Sequence, residues 1–220
     1  MKNVVWDELA KKYSNRDLRS DSIGYQKVLE LIKPIKSKQV LDFGCGIGTF
    51  TQVLHKKGAN VIGFDISKNM VNQAKAKNEE IIYTTNLDDL VSSYDLALMN
   101  FVTCTFKTSK IHEQVYSLIY NKLKENGKLI ILDNHPNSVR NEYISFKRKY
   151  LESPREGSKI KVNIKGVGSF IDYFWSANFH IEKLAEAGFK NINAYDVKAK
   201  GPGWLEETTK PPYIIFEARK

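Results

Sequence analysis

The chain has 220 residues, of which 42% are hydrophobic and 27% charged, with a net charge of +9 at pH 7. That composition excludes a disordered chain, the length suits one α/β domain with its own core, and no apolar run approaches the roughly 20 residues that span a bilayer. Two cysteines, Cys45 and Cys104, both in apolar stretches, are too few for a disulfide framework or, by themselves, a zinc site, so no metal is expected.

Trp6 to Tyr13 reads as an N-terminal helix without the apolar core of a signal peptide, so a cytoplasmic protein is expected. A second helix spans Ile23 to Ile32 and stops before Pro34. Gln39 to Phe43 is the first strand; a glycine-rich turn follows, then a helix from Thr49 to Lys57 that Gly58 closes. Val61 to Asp65 is the second strand, and Ser67 is placed to cap the helix that carries Met70 and Ala74. Ile81 to Thr84 and Tyr94 to Asn100 are the third and fourth strands, the latter apolar enough to be covered on both faces. A helix over Ile111 to Leu123 is expected to stop at Asn126-Gly127, before a fifth strand over Lys128 to Asp133. Val139 to Tyr150 then reads as an amphipathic basic helix, and Ile160 to Ile164 and Ser169 to Trp175 as a hairpin. Phe179 to Ala187 is a last helix, followed by strands at Asn191 to Val197 and Tyr213 to Ala218.

Strands alternating with helices imply a mainly parallel sheet, whose ligands bind beyond the carboxyl ends of its strands. Asp42-Phe43-Gly44-Cys45-Gly46-Ile47-Gly48 lies at such an end. Its spacing is G-x-G-x-G, one residue shorter than the dinucleotide fingerprint, with Thr49 where the third dinucleotide glycine would stand. Asp42 would repel a diphosphate and attract an ammonium group. Asp65, 17 residues after Gly48, ends the next strand, where a carboxylate can accept both hydroxyls of a ribose.

This segment resembles the glycine-rich signature of class I S-adenosylmethionine-dependent methyltransferases, closely over residues 36–135. The resemblance implies a Rossmann-like three-layer sandwich, with a mostly parallel seven-stranded sheet in the order 3-2-1-4-5-7-6 and a short β insertion after strand 5. It implies S-adenosylmethionine as cofactor, with S-adenosylhomocysteine as product. Gly44, Gly46 and Gly48 would line its methionine part, Asp65 would hold the ribose, and Ile66 and Met70 would flank the adenine. Asn86 and Leu87 would meet the adenine edge, and Asn100 and Phe101 the methionine ammonium. For Ile66, Met70 and Leu87 the alternative is ordinary packing, and for Asn86 and Asn100 a strand-end turn. The expected single domain divides into a helical lid (1–35), a cofactor half (36–135), an acceptor-covering insertion (136–176) and a C-terminal helix with two strands (177–220).

The acceptor side is less legible. Asp172 to Ser176, Leu184 to Phe189 and Lys210 to Ala218 resemble small-molecule methyltransferases of the toxoflavin-synthase type, which implies a heterocyclic or amine nitrogen, or a hydroxyl, as acceptor. Tyr173 and Trp175 share a strand face and could stack on a flat acceptor, as could Trp6 and Tyr13 from the lid; the alternative is core packing. His135, after the fifth strand, is the candidate general base, or else a turn residue before Pro136. His55, His112 and His180 are expected on helix surfaces.

The competing readings are an RNA or protein methyltransferase and a non-catalytic S-adenosylmethionine-binding protein. The positive charge is spread along the chain, and only Lys147-Arg148-Lys149 is dense, so neither a nucleic acid nor a membrane is expected as partner. The expected partner is a small-molecule acceptor, and the expected assembly a monomer or homodimer.

Overall fold

The computed structural model describes residues 4–91, 93–149 and 152–220. Helices α1 (Val4–Tyr13) and α2 (Arg19–Leu31) precede β1 (Gln39–Phe43). There follow α3 (Thr49–Lys56), β2 (Asn60–Phe64), α4 (Lys68–Lys77), β3 (Ile82–Thr84), β4 (Tyr94–Asn100), α5 (Ser109–Lys122) and β5 (Leu123–Asn134). After β5 come the short strands β6 (Phe146–Arg148), β7 (Lys159–Ile164) and β8 (Gly168–Tyr173), then α6 (Ala177–Glu186), β9 (Lys190–Val197) and β10 (Tyr213–Arg219).

Seven strands form one sheet in the order β3-β2-β1-β4-β5-β10-β9, and β6, β7 and β8 form a second, smaller one. β10 runs antiparallel to both its neighbours, and the remaining pairs of the large sheet are parallel. This is the Rossmann-like three-layer architecture and strand order that the sequence led us to expect, with the β insertion after the fifth strand. The period of two along each strand sorts the core. Val40, Leu98, Ile130 and Ile215 face α2, α3 and the small sheet; Leu41, Met99, Ile131 and Phe216 face α5 and α6. All eight are fully buried, which is why these strands read as unbroken apolar runs.

Two expectations fail. The basic helix over 139–150 is instead a 3-10 turn (Pro136–Arg140) followed by the strand β6. Burial alternates there, with Tyr143, Phe146 and Arg148 inside and Glu142 and Lys147 outside. Backbone amides that a helix would pair internally are claimed from afar: Glu142 N–H donates to Glu206, Ile144 N–H to Glu207 Oε1 and Ser145 N–H to Ser20 Oγ. The expected stop at Asn126-Gly127 also fails. Residue 123 already lies in β5, and the two residues fall within that extended run, with Asn126 at φ +62°.

Among the described residues, no helix is long and apolar enough to cross a membrane. Nor do three or more His, Cys, Asp or Glu gather in a way that could hold a metal ion.

Candidate functional site

The carboxyl ends of β1, β2 and β4 lie side by side in the large sheet, and in such sheets the ligand crevice lies just beyond them. At the end of β1 the chain must turn sharply into α3. Gly46 (φ +53°) and Gly48 (φ +74°, capping α3) adopt conformations that other residues rarely do. A Cβ on Gly46 would meet nothing within 4 Å, so this loop edge borders open space into which a side chain would project. At Gly48 a Cβ would come within 2.6 Å of the Tyr83 hydroxyl.

Asp65, just past β2, accepts hydrogen bonds from Gly46 N–H (2.9 Å, Oδ2) and Ser67 N–H (2.8 Å, Oδ1). It therefore ties the glycine loop to the start of α4, and burial raises its pKa. Asp42 is buried and accepts from Thr51 Oγ1 at 2.6 Å; burial pushes its carboxyl up to about 6, against the pull of that hydroxyl. Asn100, at the end of β4, has both amide atoms buried and without partners. Such orphaned groups cost free energy unless a ligand satisfies them. Ile66 and Leu87 are exposed, while Met70 is buried with Ala10 and Ile47. Asn86 caps a 3-10 turn through a bond from Asp88 N–H (3.1 Å).

Helix α1 lies across this crevice. Asp7 Oδ1 accepts from Ser67 Oγ at 2.5 Å and from Asn69 N–H at 3.2 Å, which latches α1 to the first turn of α4. Trp6 and Tyr13 pack against the Ala10, Ile47 and Met70 cluster.

Beyond the crevice lies a small cavity, which takes in Phe101 and Thr105 after β4, Trp6, Tyr13 and Arg16 from the N-terminal segment, and Phe170 and Asp172 of β8. Phe101 holds a positive φ of +58° while donating its N–H to Leu132 O at 2.7 Å; such strain in a residue with a side chain is characteristic of functional sites. Arg16 sits 5.1 Å from the Tyr13 ring and 5.3 Å from the Phe101 ring, and pairs with buried Asp21 at 2.7 Å. Asp172 is 1% exposed; its Oδ2 accepts from Asn134 Nδ2 at 3.1 Å and its Oδ1 has no partner. Burial raises its carboxyl to about 7, with Arg148 pulling the other way.

A second, smaller cavity adjoins the first; Cys104 and Asn134 line both. Arg148, Tyr173 and Trp175 line only the second.

Of the residues singled out in the sequence, Gly44, Gly46, Gly48, Asp42, Asp65, Asn100 and Phe101 gather around the turn from the sheet into α3 and the end of β4. Trp6 and Tyr13 reach the first cavity. Tyr173 and Trp175 reach the second, Trp175 being pinned by its Nε1 donating to Phe106 O at 3.0 Å. His135 is among the lining residues of neither cavity. Its Nδ1 accepts from Asn137 N–H (3.1 Å), its Nε2 meets Asp196 (3.2 Å), and burial lowers its pKa.

His112 and His180 are buried, not on a surface. Their rings lie 5.4 Å apart, and burial depresses His112 to about 4 and His180 to about 3, so both are neutral. Their helices look amphipathic from the sequence, but α5 and α6 pack on each other through this aromatic cluster with Phe179. The sequence reading missed Arg16, Asp172 and Arg148 as site residues. The only local signal was an ionised residue two places from an aromatic on a strand, Phe170 before Asp172 and Phe146 before Arg148.

Comparison with known proteins agrees with this architecture. The model of a family described as a methyltransferase domain matches residues 15–194. The chain is 33% identical over 119 residues to the ubiquinone biosynthesis O-methyltransferase of Coxiella burnetii, a match covering 46% of this chain and about half (50%) of that relative's length. Among solved structures, it is similar to an S-adenosylmethionine-dependent methyltransferase from Mesorhizobium loti, with a TM-score of 0.68 at 19% identity, over 90% of this chain and 98% of that one. It is also similar to magnesium protoporphyrin IX methyltransferase from Synechocystis PCC 6803 with bound SAM, with a TM-score of 0.58 at 19% identity, over 92% and 78% of the two chains. At such identities the two solved structures speak for the fold.

Proposed function

The chain belongs to the methyltransferase-domain family, and on that premise we propose that it methylates a small, flat acceptor at a nitrogen or hydroxyl, using S-adenosylmethionine. The observation that carries this reading is the adjacency of a crevice suited to that cofactor and an aromatic cavity that holds one unsatisfied carboxylate oxygen.

The crevice fits the cofactor on three counts. The loop leaves open space at Gly46, Asn100 presents an unsatisfied buried amide, and Asp42 and Asp65 offer carboxylates to an ammonium and a ribose. The exposed apolar side chains of Ile66 and Leu87 suit the two sides of a purine. When bound, S-adenosylmethionine supplies an electrophilic methyl group on a sulfonium.

The chain's own work is to hold the acceptor lone pair about 3 Å from that methyl carbon and to keep water out. Trp6, Phe101 and Phe170 offer ring faces and edges to a flat acceptor. Asp172 Oδ1 accepts a hydrogen bond from the acceptor's N–H or O–H and so aims its lone pair. With a pKa of about 7, it can also take that proton when the acceptor must lose one. We give this role to Asp172 in place of His135, whose ring nitrogens are engaged with Asn137 and Asp196.

The likeness of the C-terminal segments to the toxoflavin-synthase type supports a heterocyclic nitrogen, and the name of the Coxiella relative supports a hydroxyl. The RNA reading loses its best feature, because Arg148 of the basic triplet is 4% exposed. A cytoplasmic monomer or homodimer acting on a small molecule completes the proposal.

The test is a methyl-transfer screen across heterocycles, amines, phenols and RNA, read by S-adenosylhomocysteine release. Turnover of a small flat compound is the expected result. Turnover of RNA alone would overturn the proposal.

A further inference from the structure

Arg148 is a buried cation without a matching anion. It stands on β6, 4% exposed, and no carboxylate of the described residues lies within ion-pairing distance of it. One terminal nitrogen donates to His135 O (3.1 Å) and Ser138 Oγ (2.7 Å), while its Nε is buried and unpartnered. Of the neighbouring acids, Asp133 is engaged elsewhere, and Asp172, outside ion-pairing distance of Arg148, keeps its Oδ1 unpartnered. Asp133 Oδ2 accepts from Thr103 Oγ1 and Cys104 N–H and its Oδ1 from Asn134 N–H, while Asp172 takes the Asn134 side chain. Burying a guanidinium is costly unless an anion and hydrogen bonds compensate it.

We propose that Arg148 and the second cavity form an anion subsite that takes a carboxylate carried by the methyl acceptor. This rests on the small-acceptor reading above and narrows it to flat aromatic or heteroaromatic acids. Cys104 and Asn134 belong to both cavities, so a ring held among the aromatic side chains of the first lies next to the wall that carries Arg148. A carboxylate suits the planar fork of a single arginine. A phosphate dianion does not, because Arg148 is the sole charged base among the described residues lining this cavity, Asp133 also faces it, and His180, depressed by burial to about 3, adds no charge.

The test titrates the full chain with benzoate, indole-2-carboxylate and quinoline-2-carboxylate and with their matched carboxamides, by calorimetry. S-adenosylhomocysteine titrated into the same samples reports on the donor crevice separately. At least one acid should bind tenfold or more tighter than its amide. Arg148→Met should abolish that preference and leave the amide's affinity as it was, and Arg148→Lys should keep part of it. Melting curves show whether each variant is folded. Three results overturn the subsite: acids and amides bind alike, Arg148→Met keeps the preference, or S-adenosylhomocysteine binds while no acid does. Failure of S-adenosylhomocysteine to bind would instead strike the donor reading.

Discussion

The proposed donor crevice and the proposed acceptor cavity lie side by side at the same edge of the sheet, yet they are built in different ways. The crevice is made largely of backbone: a loop that needs glycine at 46 and 48, and a strand-end acid whose oxygens hold two main-chain N–H groups. Its parts fall within residues 42–101, and the glycine loop and Asp65 belong to a single βαβ unit, β1-α3-β2. The cavity is made of side chains from widely separated parts of the chain, among them Trp6, Phe101, Asn134, Phe146, Asp172 and Tyr213. Backbone-built sites tolerate little change in shape, whereas side-chain sites can be retuned one residue at a time. Within this chain, the crevice should therefore fail outright when its loop is altered, and the cavity should fail selectively.

The largest effect should come from Gly46→Val. The position needs φ +53° and borders the open space of the crevice, so calorimetry should find no binding of S-adenosylmethionine. Retained affinity would mean that the donor does not lie against this loop. Next is Asp172→Asn. Removing a proton acceptor costs on the order of 10²–10⁴-fold in turnover where the acceptor must be deprotonated, and S-adenosylhomocysteine affinity should stay within about twofold because the change lies in the cavity. In the wild type, kcat/KM should rise with pH and level off above about 7, and this rise should vanish in the variant.

The same residue makes a stability prediction. Its folded pKa of about 7 lies above the ordinary carboxylate value of 3.8, so the folded state holds a proton that the unfolded chain releases. That contribution to stability is full at low pH and is lost as pH rises through about 7. The Tm of Asp172→Asn should therefore overtake that of the wild type increasingly between pH 5 and pH 8. A constant gap would contradict the burial of an ionising carboxyl.

Asp65→Ala should weaken cofactor binding by about 1–3 kcal/mol, the cost of losing hydrogen bonds to a charged group. Part of that loss would come from freeing the Gly46 and Ser67 amides that Asp65 now holds. The smallest effect should be that of His135→Asn. Its ring caps a turn and touches Asp196, and asparagine can take over that cap, so turnover should fall less than about threefold and stability should change little. A collapse of turnover with the fold intact would return the base role to His135.

The same contrast explains what could be read in advance. The capping Ser67 and the glycine loop were legible because each depends on residues close in sequence, whereas the order of the large sheet came from the family resemblance that the loop carries. The segment 139–150 was misread because its composition suits a helix, while its backbone amides are taken by Ser20, Glu206 and Glu207 from distant parts of the chain. Arg148, taken for part of a solvated basic face, and Asp172 became visible as site residues only when the small sheet folded over the large one. Neither has a sequence neighbour that announces burial.

The account stands or falls most directly on a crystal structure of the chain with S-adenosylhomocysteine. The predicted result has the ligand against Gly46 and Asp65, with its sulfur turned toward Phe101 and the cavity that holds Asp172. A ligand bound elsewhere, or one whose sulfur points away from that cavity, would contradict the pairing of crevice and cavity on which the function is built.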